Sequence, residues 1–189
     1  MMYSEPGILP SFPPEYLFTM TQTQRQLVNM LGFQLCWFAC VMGGNLTGLV
    51  VVSAFMFWHC RIAERREWLL IAVVTVSGAA LDTLWYQLGL MSFSADHQLA
   101  FIPPWLLLLW LAFSATLRHS LSFLFSRPLL MVVASAMAAP LSYFAGTRLG
   151  ALSVSYEGLL VISVSWALLM WLATLLNRVL LREIETELH

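Results

Sequence analysis

Apolar residues run through this chain in long blocks with few interruptions, and the blocks have the length of membrane-crossing helices. A helix needs about 20 apolar residues to cross roughly 30 Å of hydrocarbon. Residues 26–60 carry no charge, too long a stretch for one crossing and slightly short of two full ones. Gly43-Gly44-Asn45 in its middle reads as a turn, which divides it into spans near 25–43 and 46–61. A third span covers 68–90 and contains Asp82. A fourth covers 104–125, its proline pair suiting a first helical turn. Ser126-Arg127-Pro128 breaks the chain before a fifth span near 129–146. The sixth runs over 158–177 and continues into an amphipathic tail with Arg178, Arg182 and Glu183.

The pattern predicts an all-α, polytopic membrane helix bundle of six transmembrane helices over 25–178. Five helices plus a re-entrant first hairpin are the alternative. Residues 1–24 form a proline-rich extension, with Pro6, Pro10, Pro13 and Pro14 and no basic residue before Arg25. It resembles a disordered segment and not a signal peptide. Met20, followed by TQTQRQ, would serve as an alternative start. Residues 179–189 form a C-terminal tail on the cytoplasmic side.

Composition removes the soluble alternative. Apolar residues make up 60% of the chain and charged residues 10%, where a soluble domain carries about 25% charged residues. A soluble fold of 189 residues has too much surface to cover with so few polar groups. Mean hydropathy is +0.79.

The net charge of −1 conceals an orientation signal, because all nine basic residues are Arg. With six crossings, one side collects Arg25, Arg61, Arg65, Arg66, Arg118, Arg127, Arg178 and Arg182, and the other keeps Arg148 alone. That asymmetry places both termini in the cytoplasm, with the loop RIAERRE at 61–67 as the strongest anchor. No basic stripe with interleaved aromatics exists, so nucleic acid is excluded as a partner.

The chain also matches itself. A shift of 61 residues aligns 88–112 with 149–173, with identities at 11 of 25 positions. They include Leu88-Gly89 with Leu149-Gly150, Ser92 with Ser153, Trp105 with Trp166 and Trp110 with Trp171. Both copies run out of the membrane, turn and return, which predicts a parallel repeat of hairpins 3-4 and 5-6.

Ionisable groups inside spans are costly and need a partner or a cavity. Asp82 lies ~21 Å along its helix, Arg148 closes the fifth span at ~28 Å, and Arg118 stands ~12 Å from the inner end of the fourth. Either Arg is within reach of Asp82, and depth favours Arg148. A structural pair locking helices is one reading, and a polar substrate or proton site the other. His119, Gln34, Trp37, Trp85 and Tyr143 complete the expected intramembrane polar cluster with Asp82, Arg148 and Arg118. Gln34 needs a hydrogen bond within the bundle, and Trp85-Tyr86 suits the outer interface. Pro140 frees a carbonyl near Tyr143, giving a packed kink or a cavity lining. Gly44/Gly48 and Gly146/Gly150 have small-xxx-small spacing, which turn formation explains better than helix pairing.

Cys36, Cys40 and Cys60 read as packing thiols with no zinc spacing, so no metal site is predicted. A lone His119 reads as a helix contact, His97 beside Asp96 as solvated, and a haem between His59 and His119 as a minor alternative. No catalytic motif is present, and no cofactor is expected.

The segments LGFQLCWF at 31–38, ALD at 80–82, LMSF at 90–93, PPW at 103–105, TLRHSL at 116–121 and APLSYFAGTRLGAL at 139–152 resemble a family of small bacterial inner-membrane proteins, the domain of unknown function 2878 family. The resemblance covers about 25–178. It implies a multi-pass inner-membrane protein without an assigned activity. Its genes often neighbour those for cyclopropane-type fatty-acid modification, which implies lipid-linked work. Asn is more usual in that family where this chain has Arg118, so Asp82–Arg148 is the pair it would share. The leading functional expectation is the handling of a lipid or other amphipathic small molecule, as transporter or accessory subunit. The alternative is a non-catalytic scaffold for lipid-modifying enzymes. Expected partners are membrane lipids and a membrane protein or second copy.

Overall fold

A computed structural model of the chain describes residues 20–93, 97 and 99–187, with side chains up to residue 181. The expected disorder of 1–19, Asp96 and the side chains of Arg182 and Glu183 lie outside the described residues. Within them the protein is an all-α membrane bundle. Four helices are long and apolar enough to cross a membrane: Gln22–His59, Glu67–Gln87, Pro128–Arg148 and Tyr156–Leu181.

The first of these, α1 (Gln22–His59), folds back on itself at Gly44 (φ 66°, ψ −150°). That backbone conformation favours glycine, which lacks the Cβ that clashes there. Gly32 faces the Phe55 ring, Cys36 Sγ lies 4.0 Å from the Val51 carbonyl oxygen, and Gly48 faces Cys40. These pairs are spaced nearly evenly about Gly44, so 22–43 and 45–59 are antiparallel arms of one hairpin. Gly48 is therefore a close-approach glycine and not a turn residue: a Cβ there would stand 2.9 Å from Cys40 Sγ. Thr21 starts the helix with a capping box, accepting from Gln24 N while Gln24 Oε1 accepts from Thr21 N.

Helix α2 (Glu67–Gln87) leads to strand β1 (Met91–Ser92), then α3 (Pro104–Ser114), the single turn α4 (Ser122–Phe125), α5 (Pro128–Arg148), strand β2 (Ser153–Val154) and α6 (Tyr156–Glu187). The fourth expected span is cut short. It stops at Ser114 and continues as hydrogen-bonded turns to residue 121. Ser114 and Thr116 hydroxyls donate to the Trp110 and Phe113 carbonyls, a local bonding that competes with the helix ladder. Buried Asn29 takes up the freed backbone: its Nδ2 donates to the Ala115 carbonyl (3.1 Å), and its Oδ1 accepts from Ser120 N and Ser120 Oγ (3.3 and 2.7 Å). Irregular backbone at membrane depth survives where protein satisfies it.

The internal repeat holds in the structure for the first helix of each hairpin and the turn that follows, while the second helices differ, α3 having 11 residues from Pro104 and α6 32 from Tyr156. Helices α2 and α5 each span 21 residues, and their ends superpose at the same 61-residue offset. Leu88 and Leu149 cap them, followed by Gly89 (φ 73°) and Gly150 (φ 79°). Bonds Leu88 N–Leu84 O, Gly89 N–Tyr86 O and Leu90 N–Trp85 O recur as Leu149 N–Ala145 O, Gly150 N–Thr147 O and Ala151 N–Gly146 O. Strands β1 and β2 then pair antiparallel with Ser92 opposite Ser153. Equivalent residues therefore meet at a local two-fold axis. This two-residue ladder is the one element that the all-α pattern did not predict.

Pro140 sits in an unbroken α5. The carbonyl it leaves without an intrahelical donor is that of Ala136, four residues back. Ser163 Oγ of α6 donates to it at 2.7 Å, so the proline is a packed contact between α5 and α6. The α1 start, the 60–66 loop and the 115–127 turns gather at one end, joined by Asn29–Ala115 and by Arg118–Glu64 at 3.4 Å.

Replacing Asn29 with Ala leaves the Ala115 carbonyl and Ser120 groups without their donor and acceptor. We expect a loss of ~2–4 kcal/mol in detergent-unfolding stability, against less than ~0.5 kcal/mol for Gln34→Ala at an exposed position.

Candidate functional site

Among the described residues Asp82, in the last third of α2, is the least exposed carboxylate, at 1%. Its partners are not arginines. Trp110 Nε1 of α3 donates to Oδ2 at 2.7 Å, and the Tyr143 hydroxyl of α5 donates to Oδ1 and Oδ2 at 2.7 and 2.6 Å. The expected Asp82–Arg148 pair is therefore corrected. Arg148 is exposed at the end of α5, with its guanidinium 5.9 Å from the Phe144 ring. Arg118 points to the other end and pairs with Glu64. The physical reason is depth: the guanidinium at each end has water or a surface carboxylate available, while the indole and phenol already stand beside Asp82.

The repeat explains the placement. Asp82 and Tyr143 occupy equivalent positions in α2 and α5, one offset of 61 apart, so the local two-fold axis brings them face to face. Trp110 reaches them because its ring lies directly against Gly78, where a Cβ would overlap it. On its other side the Trp110 ring stacks on Trp166, centroids 4.5 Å apart.

Tyr143 and Trp110 also form part of the wall of a cavity of about 60 Å³. Phe33, Trp37 and Val41 of the first arm line it, with Trp105, Leu106, Leu109 and Phe113 of α3. Ser142 and Gly146 of α5, Leu152 just before β2 and Trp166 of α6 complete it. Trp37 Nε1 donates to Ser142 Oγ at 2.9 Å and ties two walls together. The surface is apolar and aromatic with a few hydroxyl and indole groups, the usual make-up of a small-molecule pocket.

Of the eight expected cluster residues, the structure brings together Asp82, Tyr143 and Trp37. Trp85 is half-buried against the core near the C-terminal end of α2. Gln34 is exposed beside Leu31, Leu35 and Phe38 and not turned into the bundle, because Phe33, Cys36, Trp37 and Cys40 take the inward face. His119 belongs to the opposite end: its Nε2 stands 3.1 Å from Glu67, whose carboxylate lies 3.3 Å from His59 Nε2. The His59 and His119 ring centroids are only 4.9 Å apart and nearly perpendicular, leaving no slot for a haem between them. His97 is not simply solvated, since its Nε2 lies 2.8 Å from the Phe101 carbonyl and its ring meets Tyr86 and Phe93.

Sequence reading missed Trp110, Gly78, Glu67 and Asn29. Signals existed for the first two: Trp110 is a repeat identity with Trp171, and Gly78 shares one face of α2 with Asp82 at i and i+4.

The model of the family described as protein of unknown function (DUF2878) matches residues 26–172. The chain belongs to that family. No curated protein and no solved structure matches it.

Removing the Tyr143 hydroxyl deprives both Asp82 oxygens of a donor. Tyr143→Phe is expected to lower unfolding stability by ~1–3 kcal/mol, while Arg148→Gln shifts it by less than ~0.5 kcal/mol. Chemical or thermal unfolding of the detergent-solubilised variants measures both.

Proposed function

We propose that this member of the family binds a lipid or other amphipathic small molecule inside the membrane, in the aromatic cavity beside Asp82, Tyr143 and Trp110. It would do so as a transporter or as an accessory subunit of a lipid-handling system. The observation that supports this reading is the sharing of side chains between cavity and polar centre. Tyr143 and Trp110 line the one and hydrogen-bond Asp82 in the other. A space of about 60 Å³ holds only the end of an acyl chain or a small polar group. The chain end would pack on the indole and phenyl walls, and a polar group would find the Ser142 and Tyr143 hydroxyls. The distribution of the nine Arg residues supports insertion in a bacterial inner membrane with both termini in the cytoplasm.

Native mass spectrometry of the protein extracted with its membrane lipids tests the reading. The expected spectrum shows a lipid-sized mass retained on the wild-type chain and depleted several-fold in Gly146→Leu. A Cβ at Gly146 meets Leu152 only at ordinary contact, 3.7 Å, so the backbone accepts a side chain there, and because Gly146 lines the cavity the longer side chain would occupy it. Equal retention by wild type and variant would contradict the proposal. A retained protein subunit in place of lipid would favour the scaffold, docked through the 61–67 loop and the tail.

A further inference from the structure

At the Arg-rich end of the bundle, three segments bring two imidazoles and one carboxylate together. His59 is the last residue of α1, Glu67 the first of α2, and His119 lies in the turns after α3. Their ligand atoms lie within 4.8 Å of one another. His59 Nε2 stands 3.3 Å from Glu67 Oε1, and His119 Nε2 stands 3.1 Å from the same oxygen. The His59 and Glu67 side chains are 0% and 3% exposed, that of His119 16%. Phe55 stacks on His59 and Trp68 meets it edge-on, so the walls are dry.

One hydrogen bond joins the group, between His119 Nε2 and Glu67 Oε2 at 3.1 Å, and it leaves other buried polar atoms of the cluster unsatisfied. Neither ring nitrogen of His59 has a hydrogen-bond partner among the described residues, and neither has Glu67 Oε1. Buried polar atoms almost always find partners. A charge-assisted imidazolium–carboxylate bond closes to ~2.7–2.9 Å, shorter than either His–Glu separation. Adjacent ligands on one tetrahedral ion, with bonds of ~2.0–2.1 Å, stand ~3.3 Å apart. The turn that joins the first two ligands is tight, with Ile62 N and Ala63 N both donating to the His59 carbonyl. It fixes His59 and Glu67 eight positions apart in the chain and side by side in space.

We propose that His59, Glu67 and His119 bind one divalent first-row transition-metal ion. Two imidazoles with one carboxylate are a donor set of zinc and non-haem iron sites. The three would leave a coordination position open to water, and the partly exposed His119 marks the side of entry. Glu67 lies ~22 Å along α2 from Asp82, so this site is separate from the aromatic cavity and does not rest on the function proposed for it.

The test uses the full chain, purified in detergent with a histidine-free tag and without chelators. Elemental analysis by inductively coupled plasma mass spectrometry should find about one equivalent of a first-row metal per chain. Co²⁺ added to the chelator-stripped protein should give the visible d–d bands of nitrogen- and oxygen-ligated cobalt. Glu67→Gln and His119→Gln should each weaken Co²⁺ binding tenfold or more, on the order of the loss expected for disturbing a metal site. The wild-type metal content and cobalt spectrum stand even where a variant fails to fold. Substoichiometric metal in the wild type with no cobalt bands would overturn the proposal. So would folded variants that bind Co²⁺ as the wild type does.

Discussion

A carboxylate buried in a membrane bundle must be met by donors that the protein itself supplies, because hydrocarbon offers none. Asp82 is met by an indole and a phenol, and this knot joins the three helices that it touches. Tyr143 brings α5 to α2 at the local two-fold axis. Trp110 brings α3 against Gly78, and Trp166 of α6 closes over the Trp110 ring. The aromatic cavity is what remains on the open side of those rings. Structure and candidate site thus share one set of side chains, and a ligand in the cavity would rest against the groups that hold the bundle together.

The same demand for satisfied polar groups governs the backbone wherever it departs from ideal helix. Asn29 accepts and donates to the turns that end α3. Asn45, next to the hairpin turn, caps α3 from outside by accepting from Trp105 N at 3.0 Å. Ser163 takes the carbonyl that Pro140 releases. Three polar residues in an apolar chain are placed at three defects, and each partner comes from a different element. Such bonds cross helices and fix register where lipid-like packing alone would not.

Much of the fold was legible in the sequence because hydrophobic length and helix-breaking residues act locally. The Gly43-Gly44-Asn45 turn, the α2 and α5 limits and the offset repeat all follow from such local signals. The early end of α3 was not legible, because Ser114 and Thr116 look like ordinary polar residues of a helix until Asn29 is seen beside them. Asp82 was correctly singled out, but its partner was sought among opposite charges. Pairwise charge logic overlooked that neutral donors, Tyr143 at the equivalent repeat position and Trp110 of α3, satisfy a carboxylate without burying a second ion. His59 and His119 were paired only as a haem alternative, and Glu67 was not seen beside them, for a different reason. Their sequence separations match no ligand spacing, and only the packing of α1, α2 and the 115–121 turns brings them together.

The two polar centres stand at different depths and divide the molecule. The Arg-rich end gathers His59, Glu67 and His119 with the Glu64–Arg118 pair, and the cavity beside Asp82 gathers the aromatic rings. The central claim is that this cavity takes up a lipid-type molecule. Photo-crosslinking in native membranes with a diazirine-bearing fatty acid, followed by peptide mapping, tests it most directly. The account predicts adducts on cavity residues such as Trp37, Ser142 and Tyr143. Adducts confined to outward residues such as Leu35, Leu46 and Val164 would contradict it.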